Sequence, residues 1–209
     1  MKKIHILALC AVVALESGQI SAQSELPEPI RIFGESAGLM MTGIASHNRD
    51  DLSDAAEMLG SLKCSNMDEY DIEERNPGDL TPPEVVFTDS YCDFIKKSNF
   101  EIVAINDLDF MRSSAKPNLL LVSQGIRAGG EVTFTFLGAA DMALGIAASA
   151  PSTLRYSLIY GSQQIDVKTD DTGYFNSAIW QMEDDDEPFS ITISNPSDKT
   201  VSFSIALEG

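Results

Sequence analysis

The chain has 209 residues, 44% of them hydrophobic, and a formal net charge of −18. That length allows one ordinary domain, or one domain with a smaller companion, and the apolar share is enough for a buried core. A surface this acidic repels nucleic acid and anionic membranes, so partners held through phosphate are excluded.

The first residues, Met1-Lys2-Lys3-Ile4-His5, are short and basic, and an apolar run from Ile6 to Leu15 follows, interrupted by Cys10. Glu16 to Ala22 then turns polar and small. That order is the pattern of a secretory signal peptide, with cleavage expected after Ala22. The apolar run is too short for a membrane anchor, which needs about 18–20 such residues. The bulky Leu9 disfavours a lipid anchor on Cys10. The expected mature protein is periplasmic or secreted, without a membrane span, and carries 12 basic against 31 acidic side chains, a net of −19.

Residues 23–48 contain "IRIFGESAG", an apolar run leading into a G-x-S-x-G pentapeptide centred on Ser36. A nucleophile elbow needs a strand, a tight turn that only glycine tolerates, and a helix whose N-terminus helps to hold an oxyanion. The run Ile32-Phe33-Gly34-Glu35-Ser36-Ala37-Gly38 resembles the elbow of type-B carboxylesterases, and its early place in the chain is similar to that of GDSL-type esterases. Such a serine needs a base, nearly always His. After removal of the leader only His47 remains, and no His follows it, where both esterase families place theirs. The expectation is therefore an opening strand, Ile30 to Phe33, ending in a glycine turn. A serine esterase using Ser36 and His47 is the alternative.

Next, Leu52, Ala55, Ala56, Leu59 and Leu62 recur at helical spacing between Asp50 and Lys63, with Asp50 or Asp51 as cap. Ser65 to Pro83 is acidic, holds three prolines and reads as an exposed loop. Short strands are expected at Glu84 to Phe87 and Phe100 to Ile105, flanking a helix from Asp89 to Lys97. Residues 50–93 hold thirteen Asp or Glu against Lys63 and Arg75, a solvated acidic face or a site for a basic partner or cation. In an oxidising compartment the two remaining cysteines, Cys64 and Cys92, are expected to form a disulfide. Closing that loop would contribute roughly 3 kcal/mol in the chain-entropy model.

From residue 117 onward apolar residues alternate with period two. Val132, Phe134 and Phe136 share one face, as do Met142, Leu144 and Ile146; Leu154, Tyr156, Leu158 and Tyr160; Ile165 and Val167; Phe189, Ile191 and Ile193; and Val201, Phe203, Ile205 and Leu207. Glycine, Asp and Asn-Pro turns separate the runs. Alternation means one buried and one wet face, so about eight antiparallel strands in a β-sandwich or jelly roll are expected. "GGEVTFTFLGAADMALGIAAS" and "EPFSITISNPSDKTVSFSIALEG" resemble the bacterial pre-peptidase C-terminal (PPC) type of β-sandwich. Gly138, Ala140 and Asp141 match its middle element, and Phe189 to Leu207 its final hairpin. Met142-Ala143 stand where that family has a second acidic residue. The resemblance implies an exported, non-catalytic appendage.

Asp184-Asp185-Asp186-Glu187 is a run of four carboxylates, a solvated loop or, as an alternative, a Ca²⁺ site, since that ion takes six to eight oxygen ligands. Trp180 is expected in the core, with stacking on a sugar ring as the alternative. The chain is thus expected to be mainly β: a signal peptide (1–22), a small disulfide-tied α/β region (23–116) and an antiparallel β-sandwich (117–209). The function expected is a non-catalytic binding or accessory module for a protein or carbohydrate ligand, with no resident cofactor. A serine esterase and a calcium-dependent carbohydrate-binding or adhesion domain are the alternatives.

Overall fold

The structure, a computed structural model, describes residues 26–67, 70–75, 80–81, 119–138, 141–182 and 187–208. The expected signal peptide, the two short strands and helix between Glu84 and Ile105 with Cys92, and Asp184 to Asp186 lie outside these residues. Among the described residues two helices, α1 (Glu28–Ser46) and α2 (Arg49–Gly60), precede twelve strands. These are β1 (Cys64–Asn66), β2 (Asp71–Glu74), β3 (Leu80–Thr81), β4 (Leu119–Ile126), β5 (Glu131–Leu137), β6 (Asp141–Ala148), β7 (Arg155–Tyr160), β8 (Gln163–Ile165), β9 (Lys168–Thr169), β10 (Phe175–Gln181), β11 (Pro188–Ser194) and β12 (Val201–Glu208).

One sheet runs β1-β4-β12-β6-β10-β9, with β3 also on β4, and the other runs β2-β5-β11-β7-β8. All pairs are antiparallel except β1 with β4. Successive long strands alternate between the sheets, the wrapping of a jelly roll. The chain is mainly β, and its sheets pack face to face as the alternation requires. Phe134, Phe136, Leu144, Ile146, Leu158, Phe189, Ile191, Ile193, Phe203 and Ile205 fill the space between them, all buried. Trp180 belongs to this core and meets Phe189 edge to face at 4.9 Å.

The region ahead of residue 117 differs from the expectation in three ways. Ile30 to Phe33 is not a strand; it lies inside the 19-residue helix α1. The short apolar run "IRIF" belongs to a longer pattern, in which Ile30, Phe33, Ala37, Met40 and Met41 recur at helical spacing and are all buried. Secondly, the supposed loop from Ser65 to Pro83 supplies β1, β2 and β3, so both sheets draw strands from either side of the expected boundary at 116/117. Thirdly, α2 is capped by Asn48, whose side chain accepts from Asp50 N at 3.0 Å, rather than by Asp50 or Asp51. His47, in the left-handed region at φ 56°, closes α1, and the two helices are joined without a longer loop.

The helices form a third layer. α1 lies over β6, β10 and β12, and its apolar stripe meets Ala143, Ala147, Phe175 and Ala206. β6 is therefore buried on both faces, with Met142, Leu144 and Ile146 toward the other sheet and small residues toward the helix. The approach depends on glycines. A Cβ on Gly34 would come within 2.4 Å of the Phe175 ring, and one on Gly145 of β6 within 2.8 Å of its other edge. Phe175 thus occupies a slot between α1 and β6, edge to face with Phe33 at 6.2 Å.

Tyr156 of β7 ties the two sheets together, its hydroxyl accepting from Asn176 Nδ2 of β10 at 3.2 Å. Burial pushes this phenol well above its ordinary value of 10.0, because the phenolate would lose its hydration.

Two outcomes follow from this packing. Gly34→Ala should destabilise the fold by about 1–3 kcal/mol despite its better helix propensity, since the added methyl has no room beside Phe175. Gly38→Ala, whose Cβ would meet only Thr172 at an ordinary 3.5 Å, should stabilise it by about 0.5–1 kcal/mol; urea unfolding midpoints of the two variants check both signs. For Tyr156, the unfolded phenol ionises first, so its contribution is full below pH 10 and falls as the pH rises beyond it. Stability above pH 10 should therefore drop faster in the parent than in Tyr156→Phe, by at most about 1.4 kcal/mol per pH unit, measured by urea unfolding at pH 9, 10 and 11.

Candidate functional site

The residues marked by the pentapeptide are placed far from a catalytic geometry. Ser36 is in the interior of α1, 2% exposed, and its hydroxyl donates to Phe33 O at 2.8 Å. His47 caps the same helix eleven residues later, about 16 Å along the axis at the α-helical rise. Among the described residues no strand precedes the serine, and the helix that carries it starts eight residues earlier, at Glu28, rather than just after it. The two glycines of the motif serve packing: Gly34 admits Phe175, and Gly38 leaves space beside Thr172.

Of the other expected sites, Cys64 is buried at the start of β1, while Cys92 lies outside the described residues. Glu187 accepts a hydrogen bond from the Tyr160 hydroxyl, and Asp184, Asp185 and Asp186 lie outside the described residues. Among the described residues no group of three or more His, Cys, Asp or Glu is placed to hold a metal ion. No described helix is long and apolar enough to cross a membrane.

The structure brings together a different set. Between α1, α2 and the turn from β9 to β10 lies a cleft of about 440 Å³. Leu26, Leu39, Met58 and Phe175 give it an apolar lining, and Gly34 and Gly38 keep its helical wall low. Its rim is polar: Arg31, Glu35 and Thr42 from one stripe of α1, and Asp170 and Thr172 from the turn. The helical spacing 31, 35, 38, 42 puts these α1 positions on a single face, next to the stripe that packs on the sheet.

The turn is held by one carboxylate. Asp170 Oδ1 accepts from Gly173 N at 2.9 Å and Phe175 N at 3.2 Å, and Thr172 Oγ1 donates to both carboxylate oxygens at 2.9 and 2.7 Å. Gly173 takes the left-handed φ of 74° that such a turn demands, and its carbonyl accepts from Ser152 N at 2.7 Å. The result is a fixed turn that delivers Phe175 to the cleft floor. On the helical wall, Arg31 Nη1 donates to Glu35 Oε1 at 2.7 Å, an i,i+4 pair with both side chains about half exposed. A volume of this size falls in the range of small-molecule sites, which are mostly apolar with a few polar groups at fixed positions.

A second groove, of about 550 Å³, lies along β7 and β8, and is more polar, with Arg155, Tyr156, Gln164 and Asp166 among its lining. The second groove carries no sequence motif. The first takes Gly34, Glu35 and Gly38 from the pentapeptide, and its polar stripe on α1 is visible only once residues 28–46 are read as a helix.

Neither the protein-family models nor the curated proteins give a match to this chain. Among solved structures, a periplasmic inhibitor of g-type lysozyme from Aeromonas hydrophila is similar at 12% identity and a TM-score of 0.33, over 44% of this chain and 85% of that one. A de novo designed double-stranded β-helix is similar at 17% identity and a TM-score of 0.28, over 42% of this chain and 97% of the design. A CBM6 domain from Clostridium stercorarium, solved with cellobiose, follows at 13% identity and a TM-score of 0.24, over 51% and 91% of the two chains. At these scores none of them assigns a family.

Proposed function

We propose that the protein is an exported, non-catalytic binding module and that the cleft between α1 and the β9–β10 turn holds its ligand. The observation that carries this reading is the cleft itself: an apolar floor of Leu39, Met58 and Phe175 with a polar rim, built on a helix and a pinned turn. Binding sites are most exact when their walls are rigid elements, and both walls here are held by packing or by backbone hydrogen bonds. The ligand this lining favours is a small molecule with a large apolar part. Export rests on the leader-like residues 1–22, and a disulfide between Cys64 and Cys92 belongs to the same reading.

The test is binding of N-phenyl-1-naphthylamine, a neutral fluorophore that brightens in apolar surroundings. The full mature chain should bind it with one site, and Gly38→Leu, which pushes a side chain into the cleft, should weaken binding at least about tenfold, on the scale of losing a buried apolar contact. Circular dichroism and urea unfolding of the same variant separate a filled cleft from a damaged fold. Equal binding by a folded Gly38→Leu protein would remove the cleft from consideration. For the esterase alternative, peptide mass spectrometry after fluorophosphonate treatment should find no adduct on Ser36, whose hydroxyl is buried and engaged. An adduct there, lost in Ser36→Ala, would restore that alternative.

A further inference from the structure

Resting on the cleft as the ligand site, we propose that it selects a cationic amphiphile, an apolar body carrying one positive charge, over neutral or anionic molecules of the same shape. The argument is electrostatic. The charged groups in the lining are Arg31, Glu35 and Asp170, a net of −1. Arg31 is committed to Glu35 at 2.7 Å, so the one cation of the lining is already balanced, and the Asp170 charge is left over. Lys168 and Asp171 flank Asp170 along the chain, both outside the lining, and their opposite charges offset one another. α2, which supplies Met58, carries Asp50, Asp51, Asp54 and Glu57 against Arg49, all outside the lining, so they add to the surrounding field rather than to the rim.

This local excess sits in a chain of net charge −18, so the background field has the same sign. An apolar floor desolvates the body of any ligand equally well. The head group then decides: at the rim it meets uncompensated negative charge, partly screened because the rim is exposed to water. A sulfonate or carboxylate there is repelled, and an ammonium is attracted. The hydrogen-bonding groups of the rim do not alter this, since Thr172 already donates to Asp170, and Thr42 to Gly38 O and Leu39 O.

Titration calorimetry with three probes on one skeleton tests the proposal: N-phenyl-1-naphthylamine, its 8-sulfonate, and an analogue bearing a trimethylammoniomethyl group. In low salt the ammonium probe should bind about 3- to 10-fold tighter than the neutral one, the sulfonate should bind weakest, and the spread should shrink in high salt. Glu35→Gln, which removes one rim carboxylate without touching the floor, should reduce the ammonium-to-sulfonate ratio about threefold or more. The proposal is overturned if the sulfonate binds as tightly as the ammonium, if the spread ignores salt, or if Glu35→Gln leaves the ratio unchanged. Failure of all three probes to bind overturns the cleft as a site, a different result from binding without charge preference.

Discussion

The position of the Phe175 ring governs the rest of the helical half of this molecule. The ring enters a slot whose two walls are backbone, Gly34 on α1 and Gly145 on β6, and neither wall tolerates a Cβ. Because close-packed interiors do not yield to one extra methyl without strain, this contact fixes how closely α1 lies on the sheet. Two glycines inside regular elements cost about 1 kcal/mol or less each in local propensity, which the burial of an aromatic side chain offsets.

That approach makes one sheet serve two cores. β6 and β12 are buried on both faces, large residues toward the partner sheet and small ones, Ala143, Gly145, Ala147 and Ala206, toward the helix. Large side chains on both faces would hold α1 off the sheet. The same device shapes the cleft. Phe175 supplies the floor, the Asp170 carboxylate holds the turn that delivers it, and Gly38, one turn of helix beyond Gly34, leaves the helical wall of the cleft low.

A pentapeptide that spells a catalytic elbow is thereby accounted for by packing. Gly34, Ser36 and Gly38 sit in mid-helix, where the first glycine admits a ring, the second leaves space, and the serine hydroxyl returns to its own helix at Phe33 O. Ile30 to Phe33 is helical rather than extended for a definite cause. Four residues contain too little of either period, and the deciding partners, Ala37, Met40 and Met41, come later in the chain and match only period 3.6. β1 to β3 were illegible for a related reason, since strands of two to four residues flanked by prolines and acids carry no alternation of their own and form because β4 and β5 offer free edges.

Composition and period alone determined the sandwich. Period-two runs such as Val132-Phe134-Phe136 and Phe189-Ile191-Ile193 have one low-energy solution, a sheet with one face buried against another, and the structure pairs these two strands directly. In "DMALGIAA" the expected wet face is instead covered as well, by small residues under the helix, which period two does not disclose. Only the tertiary structure decided that α1 is the cover, that residues 64–81 belong to the sheets, and that Arg31, Glu35 and Gly38 meet Asp170 and Phe175 across a cleft. The reason is physical: periodicity records which side of an element is dry, whereas a site joins elements more than a hundred residues apart, and that meeting depends on shape and close approach that no local pattern carries.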